Sequence, residues 1–384
     1  MSAWQELAPL TIATSLIFGM TVALTGSIKA PLAKRLDISE DRVGGLLAVF
    51  NLALIPLVLA AGLVIDRLGI KEVLMLGSLL AALGTFALAT GLSFRGCQYA
   101  ILVLGAGASC LNAAAIVLMP QAFFELREAA SLNFGCFFLG LGALLTPALL
   151  EVLMRFVNFR RTLMLLAFLC LVPAVVAIWT PADHLVKPDG QAHPGHALGS
   201  PIVWLAALAF CLYAPIEGAL GTWAGTYLTD LGHRERRAAA WLSGFWLTFL
   251  AARLVAAWFQ QRGILAQGSD PWVILTLAFL AAVALGNLAG TRRRGTAARG
   301  LLIVGGLLGP IFPTLVGFVF KHVPHTSRGT AYGAVYAIGA SCSLVLPPLI
   351  GSYARRTSVR TALRIPTAVA LVLAGAALVL GLVP

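Results

Sequence analysis

The chain has 384 residues, of which 59% are hydrophobic and only 11% are charged, and its mean hydropathy is +0.92. Because soluble globular proteins carry about 25% charged residues, this composition excludes an ordinary soluble protein. The net charge of +12 does not indicate a nucleic acid partner, since most Lys and Arg residues lie in short segments between apolar stretches. Contact with a membrane surface explains these charges better.

Apolar stretches of membrane-spanning length recur along the whole chain. A helix needs about 20 mostly apolar residues to cross the hydrocarbon core of a bilayer. The first stretch continues through Ala30 with no small-residue cleavage site, so it is predicted to be a retained helix and not a signal peptide. The sequence therefore predicts an all-α polytopic membrane protein with twelve transmembrane helices. The predicted spans, numbered 1 to 12 in chain order, are residues 8–31, 43–65, 73–93, 99–122, 130–153, 162–180, 201–229, 238–260, 271–290, 300–320, 330–353 and 364–383.

The longest polar connection separates six spans from six. It contains His184, His193 and His196 among Pro and Gly residues, but their spacing matches no zinc-ligand pattern. A solvated linker is the expected structure. The predicted domains are an amino-terminal six-helix bundle (1–180), this central linker (181–200) and a carboxy-terminal six-helix bundle (201–384).

The cysteines occur singly, mostly inside apolar stretches, and no C-x-x-C pair is present. This distribution predicts neither a disulfide framework nor a metal site. The sequence also lacks a nucleotide-binding loop and the common hydrolase motifs, so we expect no enzymatic activity, no cofactor and no direct use of ATP. The six cysteines are Cys97, Cys110, Cys136, Cys170, Cys211 and Cys342.

The turn between spans 2 and 3 carries the sharpest local pattern, GLVIDRLGIK at residues 62–71. Gly62 lets two helices approach closely, Gly69 permits a tight turn, and Asp66 at a helix end can accept charge-assisted hydrogen bonds. An ordinary charged turn is the alternative interpretation. The pattern is the loop signature of the major facilitator superfamily, which the chain resembles over its full length.

This resemblance implies a transporter that alternates access by rocking two six-helix bundles, with the turn acting as a gate and not as a substrate site. Residues 260–263 (QQRG), after span 8, correspond to residues 66–69 (DRLG), after span 2. Such an internal repeat is expected of carriers built from two like bundles. The implied gating residues are Gly62, Asp66, Arg67, Gly69 and Lys71.

Three stretches resemble the fucose-permease-type sugar symporters: residues 130–147 in span 5, Tyr213 to Tyr227 in span 7, and residues 309–314 in span 10. In that family, acidic residues in helices 1 and 4 carry proton coupling. Here span 1 has no acidic residue and span 4 offers Cys110 and Asn112, which argues against fucose as the substrate.

Drug/proton antiporters are the competing branch of the superfamily. They usually carry GPxxGG in helix 5, whereas residues 146–150 of this chain read TPALL. The missing glycines favour the symporter branch and leave the antiporter branch open.

Two ionisable residues lie deep within predicted spans. Glu217 is near the middle of span 7, and Arg253 is slightly beyond the middle of span 8. A charge at the bilayer centre costs at least about 2.5–3.5 kcal/mol on insertion scales, so it persists where it is buried, paired or useful. We predict that Glu217 is the coupling site and Arg253 its partner; the alternative is a static ion pair that fixes helix register. Pro215, two residues earlier, predicts that span 7 unwinds there.

Polar and aromatic side chains in the spans that line the cavity of such carriers are predicted to bind substrate. Amide groups bind hydroxyl groups, and Trp and Tyr rings stack on apolar faces of sugars or other flat ligands. Packing is the alternative for each of them. Lys29 either extends to the interface or holds an anionic group. The candidates are Asn51, Asn112, Asn133, Tyr213, Trp223, Tyr227, Trp246, Tyr332, Tyr336 and Lys29.

The sequence thus predicts a secondary active transporter of a sugar or similar small polar metabolite, coupled to protons or sodium. The alternative function is a proton-driven exporter of amphipathic compounds or organic anions. A receptor would require a large extramembrane domain, for which the chain has no room. We expect a monomer in the cell (inner) membrane whose partners are the substrate, the coupling ion and the lipid bilayer.

The superfamily topology places both termini in the cytoplasm, but the charges oppose it. On that placement seven Lys and Arg residues lie inside and eighteen outside, with Lys29 and Arg253 set aside, which reverses the usual positive-inside bias. A basic outer face would attract anionic substrates.

We expect cysteine labelling of residues 292–299 from outside intact cells to succeed, since the superfamily topology places this loop outside. Protection of the loop would overturn the assignment.

Overall fold

A computed structural model describes residues 3–124, 126–180, 194–266 and 268–383, without the side chains of residues 3–6 and 194. Within these ranges the regular secondary structure is helical, with one 3₁₀ turn at His325–Ser327. The helices are α1 (Ala3–Ser27), α2 (Lys29–Leu36), α3 (Glu40–Leu68), α4 (Ile70–Thr90), α5 (Phe94–Ala122), α6 (Glu128–Phe156), α7 (Phe159–Cys170), α8 (Val172–Trp179), α9 (Pro194–Leu198), α10 (Pro201–Asp230), α11 (Glu235–Gln261), α12 (Asp270–Gly290), α13 (Arg294–Leu308), α14 (Ile311–His322), α15 (Arg328–Cys342), α16 (Leu346–Arg356), α17 (Val359–Ala362) and α18 (Arg364–Leu382).

Twelve helical segments in the described ranges are long and apolar enough to cross a membrane, which confirms the predicted fold class. Eight of them are single helices: α1, α3, α4, α5, α6, α10, α11 and α12. The other four combine two helices each: α7 with α8, α13 with α14, α15 with α16, and α17 with α18.

Helix α4 shows how one span divides its surface between lipid and protein. Leu79, Leu83 and Phe86 are 46–51% exposed and share one face, as the helical period requires. Gly77 and Gly84 lie on the opposite face against α5. Helices in lipid pack through such small residues, because apolar side chains gain little by leaving a hydrocarbon environment.

The contact between α4 and α5 leaves no room for a side chain at Gly107. A Cβ atom there would lie 2.3 Å from the backbone nitrogen of Ala81. Gly84 is equally restricted, since its Cβ would lie 2.5 Å from the nitrogen of Leu104. These glycines therefore set the distance between the two helices.

Prolines lie close to some interruptions of the spans, but not every proline within a span interrupts it. Helix α10 continues through Pro215, so the predicted unwinding there is wrong. A single proline removes one backbone donor, which a membrane helix tolerates when neighbours satisfy the freed carbonyl. Two of the four interruptions follow Leu308, where Pro310 and Pro313 stand close together, and Cys342, ahead of the pair at residues 347–348.

The chain forms two compact units. Unit 1 comprises Met1–Leu126, Gly135–Ala197 and Pro324–Gly333, and unit 2 comprises Arg127–Phe134, Leu198–Val323 and Ala334–Pro384. The beginning of α6 thus belongs to unit 2, and the beginning of α15 belongs to unit 1. Most of the predicted linker, including His184 and His193, lies outside the described residues, and α9 occupies part of the remainder.

A disulfide joins Cys211 of α10 to Cys342 at the end of α15, with 5.3 Å between their Cα atoms. The expectation of unpaired cysteines is wrong for this pair. The two residues are 131 positions apart on different helices, so no local spacing in the sequence reveals their proximity. Cys97, Cys110, Cys136 and Cys170 take part in no disulfide.

Substituting Gly107 with Ala is expected to lower the melting temperature of the purified protein in detergent by several degrees. The added methyl group meets backbone rather than a movable side chain, and overpacking of this kind costs about 1–3 kcal/mol. Gly375→Ala is the matched control, because nothing lies within 4 Å of a Cβ at that helical glycine. Equal melting temperatures of the two variants would contradict this interpretation.

Candidate functional site

The candidate site lies in unit 2, around the middle of α10. Tyr213 and Glu217 are four residues apart and therefore occupy the same face of this helix. The Tyr213 side chain hydrogen-bonds with the Glu217 carboxylate, and the Arg253 guanidinium of α11 lies near enough to attract it. The Glu217 residue as a whole is only partly buried.

Arg253 is held on several sides. Its side chain is buried, its Nε donates a hydrogen bond of 3.0 Å to the carbonyl oxygen of Gly309, and its guanidinium carbon lies 4.6 Å from the centroid of the Phe249 ring. A backbone carbonyl and an aromatic face both favour a cation. The predicted pairing of Glu217 with Arg253 therefore has a defined structural setting.

The free carbonyl of Gly309 follows from the position of Pro313. In a continuous helix this carbonyl would accept from the backbone N–H of residue 313, but Pro313 has none. The interruption between α13 and α14 also exposes the carbonyl of Leu308, which accepts a hydrogen bond of 3.1 Å from the Tyr213 hydroxyl. The break in this span thus leaves two carbonyl groups available: that of Leu308 accepts from Tyr213, and that of Gly309 accepts from Arg253.

Aromatic rings extend from Glu217 and Arg253 in two directions. On one side Phe210 contacts Tyr213, with ring centroids 6.1 Å apart, and Tyr336, at 5.8 Å. On the other side Phe249 contacts Trp246 at 5.5 Å. Three predicted substrate-binding residues, Tyr213, Trp246 and Tyr336, therefore belong to one group of rings around Glu217 and Arg253.

Two further candidates on α10 lie away from this group. Tyr227 is ten residues beyond Glu217, or about 15 Å along the helix. It is buried, and its hydroxyl donates to the carbonyl of Leu288 at 2.5 Å. Trp223 donates through Nε1 to the carbonyl of Pro347 at 3.0 Å. Both polar groups bind backbone carbonyls.

Asn133 lies in a second buried polar cluster of unit 2, which we call the Asn133 cluster. Its amide nitrogen donates to the Gln260 side chain at 3.0 Å and to the Thr314 hydroxyl at 3.1 Å. The backbone carbonyl of Gln260 also accepts from Arg127 at 2.6 Å. The cluster consists of Arg127, Asn133, Gln260 and Thr314, and the structure does not bring it together with Glu217 through any described contact.

Four other candidates lie in unit 1. The Asn112 side chain is buried and accepts a hydrogen bond of 2.9 Å from the Tyr332 hydroxyl. Asn51 is exposed on α3. Lys29 begins α2, and its Nζ lies 3.7 Å from the Glu40 carboxylate, with both side chains substantially exposed.

The predicted gating residue Asp66 is buried and binds the beginning of α15. One carboxylate oxygen accepts from the backbone nitrogen of Gly329 at 2.9 Å, and the other accepts from the nitrogen and hydroxyl of Thr330 at 2.7 and 2.5 Å. A Cβ atom at Gly62 would lie 2.0 Å from the carbonyl oxygen of Gly329. Close approach at Gly62 is therefore what brings the carboxylate within reach.

The remaining predicted gating residues lie in or beside the turn between α3 and α4. Gly69 has a φ of 111°, a conformation that favours glycine. Lys71 donates from Nζ to the carbonyl of Thr180 at 3.2 Å, and Arg67 is exposed. In the described part of the chain, no group of three or more His, Cys, Asp or Glu side chains could hold a metal ion.

Several residues of these sites were missed by the sequence analysis. Pro313, four residues after Gly309, was a usable signal for the free carbonyl beside Arg253. Gln260 was noted as the repeat counterpart of Asp66, but nothing in the sequence assigned Thr314 or Thr330 as partners.

The family model described as Major Facilitator Superfamily matches residues 10–347. The chain belongs to the major facilitator superfamily, and it is an integral membrane transporter. The predicted membership is confirmed by this match, which covers most of the chain.

Solved structures of superfamily transporters are similar over nearly the whole chain. The fucose:proton symporter of E. coli has a TM-score of 0.78 and 19% identity, covering 97% of this chain and 98% of that chain. The human organic anion transporter TETRAN has a TM-score of 0.78 and 14% identity, covering 98% and 100%. A proton:xylose symporter has a TM-score of 0.78 and 12% identity, covering 96% and 94%. These likenesses confirm the fucose-permease-like fold, and no curated protein matches the sequence.

Replacing Arg253 with Met is expected to lower the stability of the protein by on the order of 3 kcal/mol, because the Glu217 carboxylate loses its buried counter-charge. Adding Glu217→Gln should restore part of that loss. Thermal unfolding of Arg253→Met, Glu217→Gln and the double variant in one detergent measures the difference.

Arg155→Met is the control, since Arg155 forms an exposed pair with Glu151 and exposed pairs contribute about 0–1 kcal/mol. If the double variant were as unstable as the sum of the two single variants, Glu217 and Arg253 would not stabilise each other.

Proposed function

We propose that this protein is a secondary active transporter that moves a small polar metabolite, a sugar or a similar compound, by alternating access. Glu217 is its coupling carboxylate, and Arg253 is the partner of that carboxylate. The proposal depends above all on one observation, the interaction of these two residues in the middle of membrane-spanning helices. In this environment ionisable side chains mark ion and substrate pathways more often than elsewhere.

Protonation of Glu217 would change the hydrogen bonds of its neighbours. Tyr213 has one hydroxyl proton and two acceptors, the carboxylate and the carbonyl of Leu308. A neutral carboxyl group can donate to the Tyr213 oxygen, which leaves the hydroxyl proton entirely to Leu308. Arg253 would at the same time lose its counter-charge and be free to bind an anionic or hydroxylated substrate. Binding of a proton would thereby be linked to binding of the substrate.

The hydrogen bonds of Asp66 and those of the Asn133 cluster support a gate that consists of two similar sets of contacts. Asp66 ends one repeat and binds the beginning of α15, while Gln260 ends the corresponding repeat and binds Asn133 near the beginning of α6. Both sets of contacts are hydrogen bonds, which can break and re-form without covalent change. Asn133 therefore fits a role in gating better than direct contact with substrate.

The aromatic group around the ion pair supports a ligand with polar and apolar faces. Trp246 and Tyr336, which are partly exposed, can stack on a sugar ring while Glu217 and Arg253 bind its hydroxyl groups, and the buried Tyr213 orients Glu217. Two of the similar structures are symporters of fucose and xylose, which agrees with this substrate class.

The alternative function is a proton-driven exporter of amphipathic compounds or organic anions. The similarity to an organic anion transporter and the basic surface at one end of the spans favour an anionic substrate. We further propose the cell (inner) membrane as the location, with both termini in the cytoplasm, a monomeric state, and the domain boundaries predicted above.

Glu217→Gln is expected to abolish uptake driven by a pH gradient, because the amide has the size of the carboxyl group but cannot exchange a proton. Uptake of labelled sugars is measured in proteoliposomes with an inwardly directed proton gradient. Glu151→Gln, an acid in an exposed ion pair, should transport like the wild type. Full pH-driven uptake by Glu217→Gln would refute the coupling role.

The substrate class is tested with the wild-type protein and proton gradients of each sign. Transport of a panel of labelled sugars, organic anions and dyes is measured under each gradient. We expect a sugar to accumulate on the side toward which protons flow. Accumulation of dyes or organic anions on the side from which protons flow would favour the exporter.

A further inference from the structure

A groove of about 890 Å³ runs along the surface of unit 2 between α12 and α13. Its lining changes from apolar to polar along its length. Leu280, Val283 and Ile303 form the apolar part and are 44–57% exposed. Thr296 and Arg299 stand near the beginning of α13, at the polar end.

The length of the groove matches part of a lipid acyl chain. Leu280 lies ten residues before Gly290 on α12, which is about 15 Å along the helix axis. This is about half of the 30 Å hydrocarbon core of a bilayer. The apolar lining therefore reaches from the end of the span to about the middle of the membrane.

The polar end of the groove carries cationic groups. Arg299 donates through Nε to the carbonyl of Gly295 at 3.2 Å, and no carboxylate in the described residues pairs with its guanidinium. Arg292 and Arg293 are exposed in the adjoining turn. Because the α12 and α13 spans end here, these cations lie at the level of lipid headgroups. A guanidinium presents paired N–H donors that match a phosphate group.

We propose that this groove binds one anionic phospholipid, with its acyl chain against Leu280, Val283 and Ile303 and its phosphate at Arg299 and Thr296. The positive charge at the polar end selects a lipid with net negative charge over a zwitterionic one. The apolar length distinguishes a lipid from a soluble phosphate, which would leave that part of the groove unused. The site does not depend on the transported substrate or on the orientation of the chain.

The test is native mass spectrometry of the full chain, purified in detergent and incubated with phosphatidylglycerol or with phosphatidylcholine of the same acyl chains. The wild type is expected to retain phosphatidylglycerol preferentially. Arg299→Gln should reduce that preference about fivefold, the effect of one basic residue beside an anionic headgroup. Arg236→Gln, an exposed arginine at the beginning of α11, should leave it unchanged.

Two further measurements distinguish a lipid site from a site for soluble anions and from a loss of folding. Ile303→Trp, which fills the apolar part, should lower retention with Arg299 intact, and lipid-free melting temperatures check that each variant is folded. Inorganic phosphate should not raise the melting temperature. Equal retention of the two lipids, equal behaviour of Arg299→Gln and Arg236→Gln, or stabilisation by phosphate alone would overturn the proposal.

Discussion

The interaction of a carboxylate with a guanidinium in the middle of a membrane-spanning bundle is the constraint around which unit 2 is organised. A lone charge is costly at that depth, so each group needs a partner. A tyrosine hydroxyl hydrogen-bonds with Glu217, and a backbone carbonyl and an aromatic face contact Arg253. Each supporting group is held by its own helix, so the pair also fixes how α10, α11 and α13 pack together.

The backbone supplies the hydrogen-bond acceptor for Arg253. Pro313 leaves the carbonyl of Gly309 without a helical partner, and Gly309 itself lets this carbonyl approach α11. A Cβ atom at Gly309 would lie 2.2 Å from the carbonyl oxygen of Phe249. The interruption of a span is thus a way to place an uncharged acceptor beside a buried cation.

Much of this fold could be predicted from the sequence because its causes are local. Hydrophobic length alone defined the twelve spans, and the rarity of charge within them singled out Glu217 and Arg253. Long-range partners could not be predicted in the same way. Asp66 binds Thr330, which is 264 residues away, and the disulfide joins positions 131 residues apart. No periodicity or motif records which helix ends meet, so these contacts required the structure.

The central claim is that Glu217 changes its protonation state during transport. Infrared difference spectra of the reconstituted protein, recorded as the pH is changed with substrate present and absent, measure this directly in the carboxyl stretching region. We expect a carboxyl band that depends on pH, shifts when substrate binds, and is missing in Glu217→Gln. Identical carboxyl bands in the wild type and in Glu217→Gln across the pH range of transport would contradict the account.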